Sequence, residues 1–137
     1  MAVSPIRSKK PLTAHEIGWL AGIVDGEGSL YLKLESNRKR YPVLQVEMTD
    51  YSTLVQVYNL LKRFGTPRWL NIPARNRTRN RPAYRVTLRR PESILAFLGT
   101  VGKHLVTKRP QAATAKQAAR NNIHLREKRQ AQWKEAA

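Results

Sequence analysis

Apolar residues recur at helical spacing in some stretches of the chain and at every second residue in others, and these switches mark out its elements. Thr13 followed by Glu16 makes a T-x-x-E capping box. It predicts a helix from about Ala14 to Asp25 that ends at the glycines Gly26 and Gly28. From Ser29 to Glu35 the pattern alternates, with Leu30, Leu32 and Leu34 on one face and Tyr31, Lys33 and Glu35 on the other. After a polar, basic connection over 36–42 the alternation returns, with Leu44, Val46 and Met48 set against Val43, Gln45 and Glu47. Two half-buried strands this close in sequence predict an antiparallel hairpin. A second helix follows, capped by Thr49 or Asp50, with Leu54, Val57, Tyr58 and Leu61 as its apolar face and Gly65 and Pro67 as its stop. Arg68–Ile72 and Ala83–Arg89 make a second strand pair. Pro91 opens a third helix, with Ile94, Leu95 and Leu98 inward, that ends near Gly102. Pro110 opens a last, Ala-rich, basic helix of roughly 20 residues.

The order helix–strand–strand occurs twice before the terminal helices. Two such units predict an α+β fold, αββαββα, whose four-stranded antiparallel sheet carries its helices on one face. The other sheet face, polar and basic, must then meet solvent or a ligand. Residues 1–12 read as a basic flexible arm and 13–137 as a single domain. The length, 137 residues, and an apolar fraction of 41% suit one core. No stretch approaches the roughly 18 apolar residues that span a membrane. The N-terminus lacks the apolar run of a secretion signal. The expectation is therefore an intracellular, non-secreted protein. There are no cysteines, which removes disulfides, iron–sulfur clusters and cysteine zinc sites. His15, His104 and His124 lie far apart and form no paired metal pattern.

Charge narrows the partner. Twenty-six Lys and Arg stand against nine Asp and Glu, a net +17 spread from Arg7 to Lys134. Self-repulsion on this scale calls for a polyanion, either nucleic acid or an acidic membrane surface, and nucleic acid is the foremost candidate. Arg75, Arg77, Arg79 and Arg81 fall on alternate residues. If that segment is extended, its guanidinium groups share one face and suit a ribbon in the major groove. The alternative is a basic loop that orders only on binding. The outward strand positions continue the surface: Tyr31, Lys33, Glu35 and Asn37, then Arg38 and Arg40, then Gln45, Arg68, Arg85 and Thr87. Such a mixture resembles direct base readout more than mere phosphate binding, although an ordinary solvated face has similar alternation.

The first helix holds the chemical clue. Gly18, Ala21 and Gly22 put small side chains on one helix face. Glycine inside a helix costs about 0.5–1 kcal/mol relative to alanine, so two of them want a close packing partner. That partner is either the sheet or the same helix of a second copy. Asp25 and Glu27 sit at the helix C-terminus, where the macrodipole disfavours acid by about 0.3–1 kcal/mol each. A bound divalent cation such as Mg²⁺ would offset that cost.

The stretch from Leu20 to Gly28, L-A-G-I-V-D-G-E-G, resembles the motif of the LAGLIDADG homing endonucleases, and the element order resembles the single-motif branch of that family. The resemblance covers roughly 13–112. It implies a homodimeric endonuclease, dependent on Mg²⁺ with Mn²⁺ as a substitute, that hydrolyses phosphodiesters in double-stranded DNA at a long pseudo-palindromic site. It implies a metal held by Glu27 and the backbone carbonyl of Gly26, with Asp25 supporting the turn. It implies a basic residue late in the domain that assists the water network, for which Lys108 in Leu105-Val106-Thr107-Lys108 stands. Gly18, Ala21 and Gly22 would form the dimer contact. The setting implied is bacterial or phage-infected cytoplasm, or an organelle. Two positions depart from the pattern: Met48 stands where a polar residue is common, and Ser52 where a basic one is. The competing readings are a maturase that grips intron RNA and a dimeric DNA-binding regulator without nuclease activity.

Overall fold

The structure, a computed structural model, describes residues 10–76 and 81–136. Both halves of the first capping box form. Thr13 Oγ1 accepts from the Glu16 N–H at 3.1 Å, and Glu16 Oε1 accepts from the Thr13 N–H at 2.9 Å. Helix α1 runs Ala14–Glu27, so it continues through Gly26 and Glu27 where the sequence predicted a stop at Asp25. The break comes at Gly28, the first residue of β1 (Gly28–Leu34). A Cβ there would lie 2.7 Å from the Val24 carbonyl oxygen. The chain turns from helix to strand in one step only because that side chain is missing.

Strand β2 is Arg40–Met48, α2 is Tyr51–Leu61, β3 is Arg68–Ile72, β4 is Ala83–Leu88, α3 is Pro91–Thr100 and α4 is Arg109–Ala136. Asp50, not Thr49, caps α2, accepting from the Thr53 N–H at 3.4 Å. Helix α4 has 28 residues, longer than sequence punctuation suggested, because no glycine or proline interrupts 111–136. The sheet is antiparallel throughout, in the order β1-β2-β4-β3.

One sheet face makes the core. Leu30, Leu44, Val46, Val86 and Leu88 meet Leu20 and Val24 of α1, Leu54, Val57 and Leu61 of α2, and Ile94 and Phe97 of α3. Each such side chain, once buried, contributes about 1.5–3 kcal/mol of transfer free energy. Together they fix which way every alternate residue of the sheet points. Leu34 has inward parity but is 60% exposed, since it lies at the open end of the hairpin. Leu12 packs into the core although the arm was expected to extend to it, and the Lys10 carbonyl accepts from Arg63 Nη1. The expected arm over 1–9 lies outside the described residues.

Helix α4 seals the edge of this layer. Ala115 and Ala119 let it sit close, and Asn122 Nδ2 donates to the Arg40 carbonyl at 3.2 Å. Arg126 then pairs with Glu92 at the start of α3. No helix among the described residues is long and apolar enough to cross a membrane.

Candidate nucleic-acid interface

Among the described residues the opposite sheet face is uncovered. An open cleft of about 210 Å³ runs across it, lined by Tyr31 and Lys33 of β1, Val43 and Gln45 of β2, Arg68 and Leu70 of β3, and Arg85, Thr87 and Arg89 of or beside β4. Val43 has outward parity yet is 1% exposed, because these larger side chains close over it as a floor. Tyr31 Oη donates to Gln45 Oε1 at 3.4 Å, which aims the Gln45 amide. Glu47 pairs with Arg85, and Glu35 with Arg89 and Lys33. The sequence-derived surface residues Tyr31, Lys33, Glu35, Gln45, Arg68, Arg85 and Thr87 therefore do come together.

Others do not. Arg40 is opposite Leu34 and shares the parity of Pro42 and Leu44, so it points to the helix side, where it lines a groove with α4. Val43 and Gln45 face outward, and counting back from them by twos reaches Tyr41, so Arg40 falls on the other face. Asn37 is spent on the turn itself: its Oδ1 accepts from the Lys39 N–H at 3.0 Å, and its Nδ2 donates to Tyr41 Oη at 3.2 Å. Arg38 occupies the left-handed region, φ 64°, at the tip. Arg75 lies in a 3-10 turn, Ala74–Asn76, which contradicts an extended arginine ribbon at its start. Arg81 lies in a bend before β4. Arg77 and Arg79 lie outside the described residues. Arg89 and Glu47 belong to this face and were missed. Arg89 falls one residue past β4, and Glu47 was read as strand pattern rather than as an arginine's partner.

At one end of the sheet, α1 meets the segment before α4. Asp25 Oδ2 accepts from the Val106 N–H at 2.8 Å and Oδ1 from the Lys108 N–H at 3.1 Å. Lys108 Nζ donates back to the Asp25 carbonyl at 3.0 Å. Burial works against the Asp25 charge, but the Val106, Lys108 and Thr107 N–H groups and the Lys108 ammonium outweigh it and hold the carboxyl below its usual range. Both Asp25 oxygens are thus committed to the loop. Asp25, by the resemblance a candidate catalytic residue that supports the turn, ties Lys108 to the helix end.

Glu27 differs from every other carboxylate between Glu16 and Glu92. Those serve as caps, as ion-pair partners or, for Asp25, as acceptors of loop N–H groups. The Glu27 carboxylate is exposed and has no partner among the described residues. It is the last residue of a helix whose final turn carries no basic residue, the unfavourable end for an acid. Carboxylate and backbone carbonyl oxygens suit a hard cation such as Mg²⁺. Among the described residues no three metal-binding side chains cluster. With both Asp25 oxygens engaged by the loop, Glu27 is the carboxylate left open at this helix end among the described residues. Met48 packs against the core and Ser52 Oγ donates to Asp50 at 3.2 Å, so neither reaches this end as a polar group.

The small-residue stripe is shifted from its expected place. Ala21 is buried at 3% and packs inward. Gly18, Gly22 and Gly26, four residues apart, are exposed, and a Cβ on any of them would meet nothing within 4 Å. Their absent side chains thus serve no contact among the described residues.

No curated protein sequence matches the chain. Among solved structures, it is similar to the homing endonuclease I-CvuI in complex with its target in the presence of Ca. The TM-score is 0.63 and the identity 22%, over 79% of this chain and 69% of that one. A second I-CvuI complex, with the I-CreI target and Mg, matches at 0.59 with 21% identity over the same shares. The group I intron-encoded homing endonuclease I-CeuI with DNA matches at 0.56 and 20% identity, over 86% of this chain and 61% of that one. These likenesses establish the fold. The family model of the LAGLIDADG-like domain matches residues 14–102, the greater part of the chain and the whole span from α1 through α3, and the chain belongs to that family.

Proposed function

We propose that the chain is a homodimeric, metal-dependent endonuclease that cuts double-stranded DNA at a specific, pseudo-palindromic site. The observation that carries this reading is Glu27, without a partner among the described residues, at an exposed helix end that bears the open glycine face of α1 and runs directly into β1, whose Tyr31 and Lys33 line the basic cleft. Two copies packed through Gly18, Gly22 and Gly26 would bring two Glu27 side chains to a shared axis, one for each scissile phosphate. The two clefts would then extend outward along one duplex.

Within each copy the roles divide by position. Glu27 and the carbonyl of Gly26 would hold Mg²⁺ or Mn²⁺, which when bound activates water and stabilises the oxygens of an in-line displacement. Lys108, held at the helix end by its bond to the Asp25 carbonyl, presents an ammonium beside the developing negative charge. Asp25 positions Lys108 rather than touching substrate. Arg68, Arg85, Arg89 and Lys33 give the cleft its positive charge, and the arginines, Gln45 and Thr87 offer groups that discriminate base edges. The family's homing enzymes suggest an intracellular setting in bacteria, phage-infected cells or organelles.

One observation favours a second reading, a non-cleaving binder of DNA or intron RNA. Met48 and Ser52 supply no polar group to the helix end. Incubating the purified protein with a plasmid library of random sites and Mg²⁺ separates the two. Cutting that disappears in Glu27→Gln supports the enzyme. Tight binding without cutting, with Mn²⁺ as well, supports the binder.

A further inference from the structure

Two carboxylates, Glu35 and Glu47, sit on the open sheet face, where a surface suited to a polyanion has no direct use for negative charge. Each faces phosphate unfavourably, yet each is engaged by an arginine. Glu47 Oε1 accepts from both Nε, at 2.9 Å, and Nη2, at 2.8 Å, of Arg85, its cross-strand neighbour in the β2–β4 ladder. Glu35 Oε1 accepts from Nη2 of Arg89 at 2.8 Å, with the Lys33 ammonium at 4.0 Å.

The side used at Arg85 matters. Nε and Nη2 form one edge of the guanidinium. The edge left over has one N–H on each terminal nitrogen, the donor pair that matches guanine O6 and N7. Arg85 is about one-third exposed and lines the cleft. Held at its base, it also loses less freedom on binding than an unrestrained arginine.

We propose that Glu47 and Glu35 are positioning residues that hold Arg85 and Arg89 as guanine-reading forks, so each half of the DNA site carries a guanine at two positions. The proposal rests on the duplex-DNA reading and specifies which bases it favours. The spacing follows from the strand. Arg85 and Arg89 are four residues apart along the line of β4. The rise per residue, about 3.3 Å, is close to that of one nucleotide, so the two guanines fall about four steps apart. Glu47 adjoins the Val46–Gly28 pair at the α1 end of the sheet, while Glu35 begins the hairpin turn. Arg85 therefore takes the base nearer the Glu27 end.

The test is selection of bound duplexes from a random library by the full chain and by Arg85→Lys, Glu47→Gln and Glu35→Gln, with unfolding curves confirming that each is folded. The chain itself enriches two guanines per half-site. Arg85→Lys keeps the charge but not the fork, and lowers the guanine preference at the inner position by roughly tenfold or more. Glu47→Gln relaxes the same position while binding random duplex more tightly, since a negative charge has left the surface. Glu35→Gln does the same at the outer position and serves if Glu47→Gln does not fold. Looser selectivity with tighter binding is an outcome that lost structure does not produce. Unchanged base preferences in the glutamine variants, with selective binding intact, overturn this proposal alone. Failure of the chain to bind any duplex overturns both it and the DNA reading.

Discussion

Replacing Gly18 and Gly22 by alanine should move the stability of one chain and the stability of its dimer in opposite directions. A Cβ at either position meets nothing within 4 Å among the described residues of one chain. Both residues lie inside α1, where glycine is about 0.5–1 kcal/mol worse than alanine. The double variant should therefore gain about 1–2 kcal/mol per chain. For a domain of this size that raises the unfolding midpoint by roughly 3–8 °C. If the glycine face is the dimer contact, the same methyl groups overpack it on both helices, at about 1–3 kcal/mol. Dimer Kd should then rise by roughly 5- to 150-fold. Sedimentation velocity over a concentration series gives the Kd. Thermal unfolding below that Kd gives the single-chain effect without the concentration dependence that dimers add. Gly28→Ala is the contrast: its Cβ would press on the Val24 carbonyl at 2.7 Å, and it should only destabilise. A double variant that dimerises as tightly as the parent would place the contact elsewhere. One that loses single-chain stability would refute the open face of α1.

Three further outcomes follow from the same geometry. Asp25 has a depressed folded pKa, so its contribution is present above the unfolded aspartate value of about 3.9 and is lost as pH falls through the folded value. Asp25→Asn should cost stability in urea at pH 7 and much less in strong acid; an equal cost at both would contradict the charge argument. Gly65→Ala should destabilise by about 1–3 kcal/mol, because its Cβ would sit 2.0 Å from Ser93 Oγ. Adding Ser93→Gly should recover much of this in the same urea measurement. Duplex affinity should fall by about a thousandfold or more between 50 and 200 mM salt if six or more phosphates are contacted, and a flat titration profile would contradict the assigned face.

Periodicity made the fold legible because one sheet face is dry. Burial of Leu30, Leu44, Val46, Val86 and Leu88 enforces the alternation that the sequence displays. Where burial stops deciding, the reading slipped. Arg40 and Asn37 lie at a turn, whose local hydrogen bonds and single left-handed residue leave no period. The glycine stripe was legible as composition, but its phase was not. Ala21 and Gly22 are adjacent, about 100° apart around the helix, and only the packing of Leu20 and Val24 shows that Ala21 lies on the inward side and Gly22 outside it. Asp25 and Lys108 are 83 residues apart, and no local pattern announces their contact. The pairing of Glu47 with Arg85 depends on strand register, which becomes certain only once the order β1-β2-β4-β3 is known.

The central claim is that the bare carboxylate ending α1 is a cation ligand at a DNA phosphate. Anomalous diffraction from a crystal of the full chain with a selected duplex and Mn²⁺ addresses it directly. The account predicts a peak at coordination distance, about 2.0–2.2 Å, from Glu27 and close to a backbone phosphate, with a second copy's peak beside it. A bound duplex with no peak at Glu27, or with Glu27 turned away from the DNA, would contradict it.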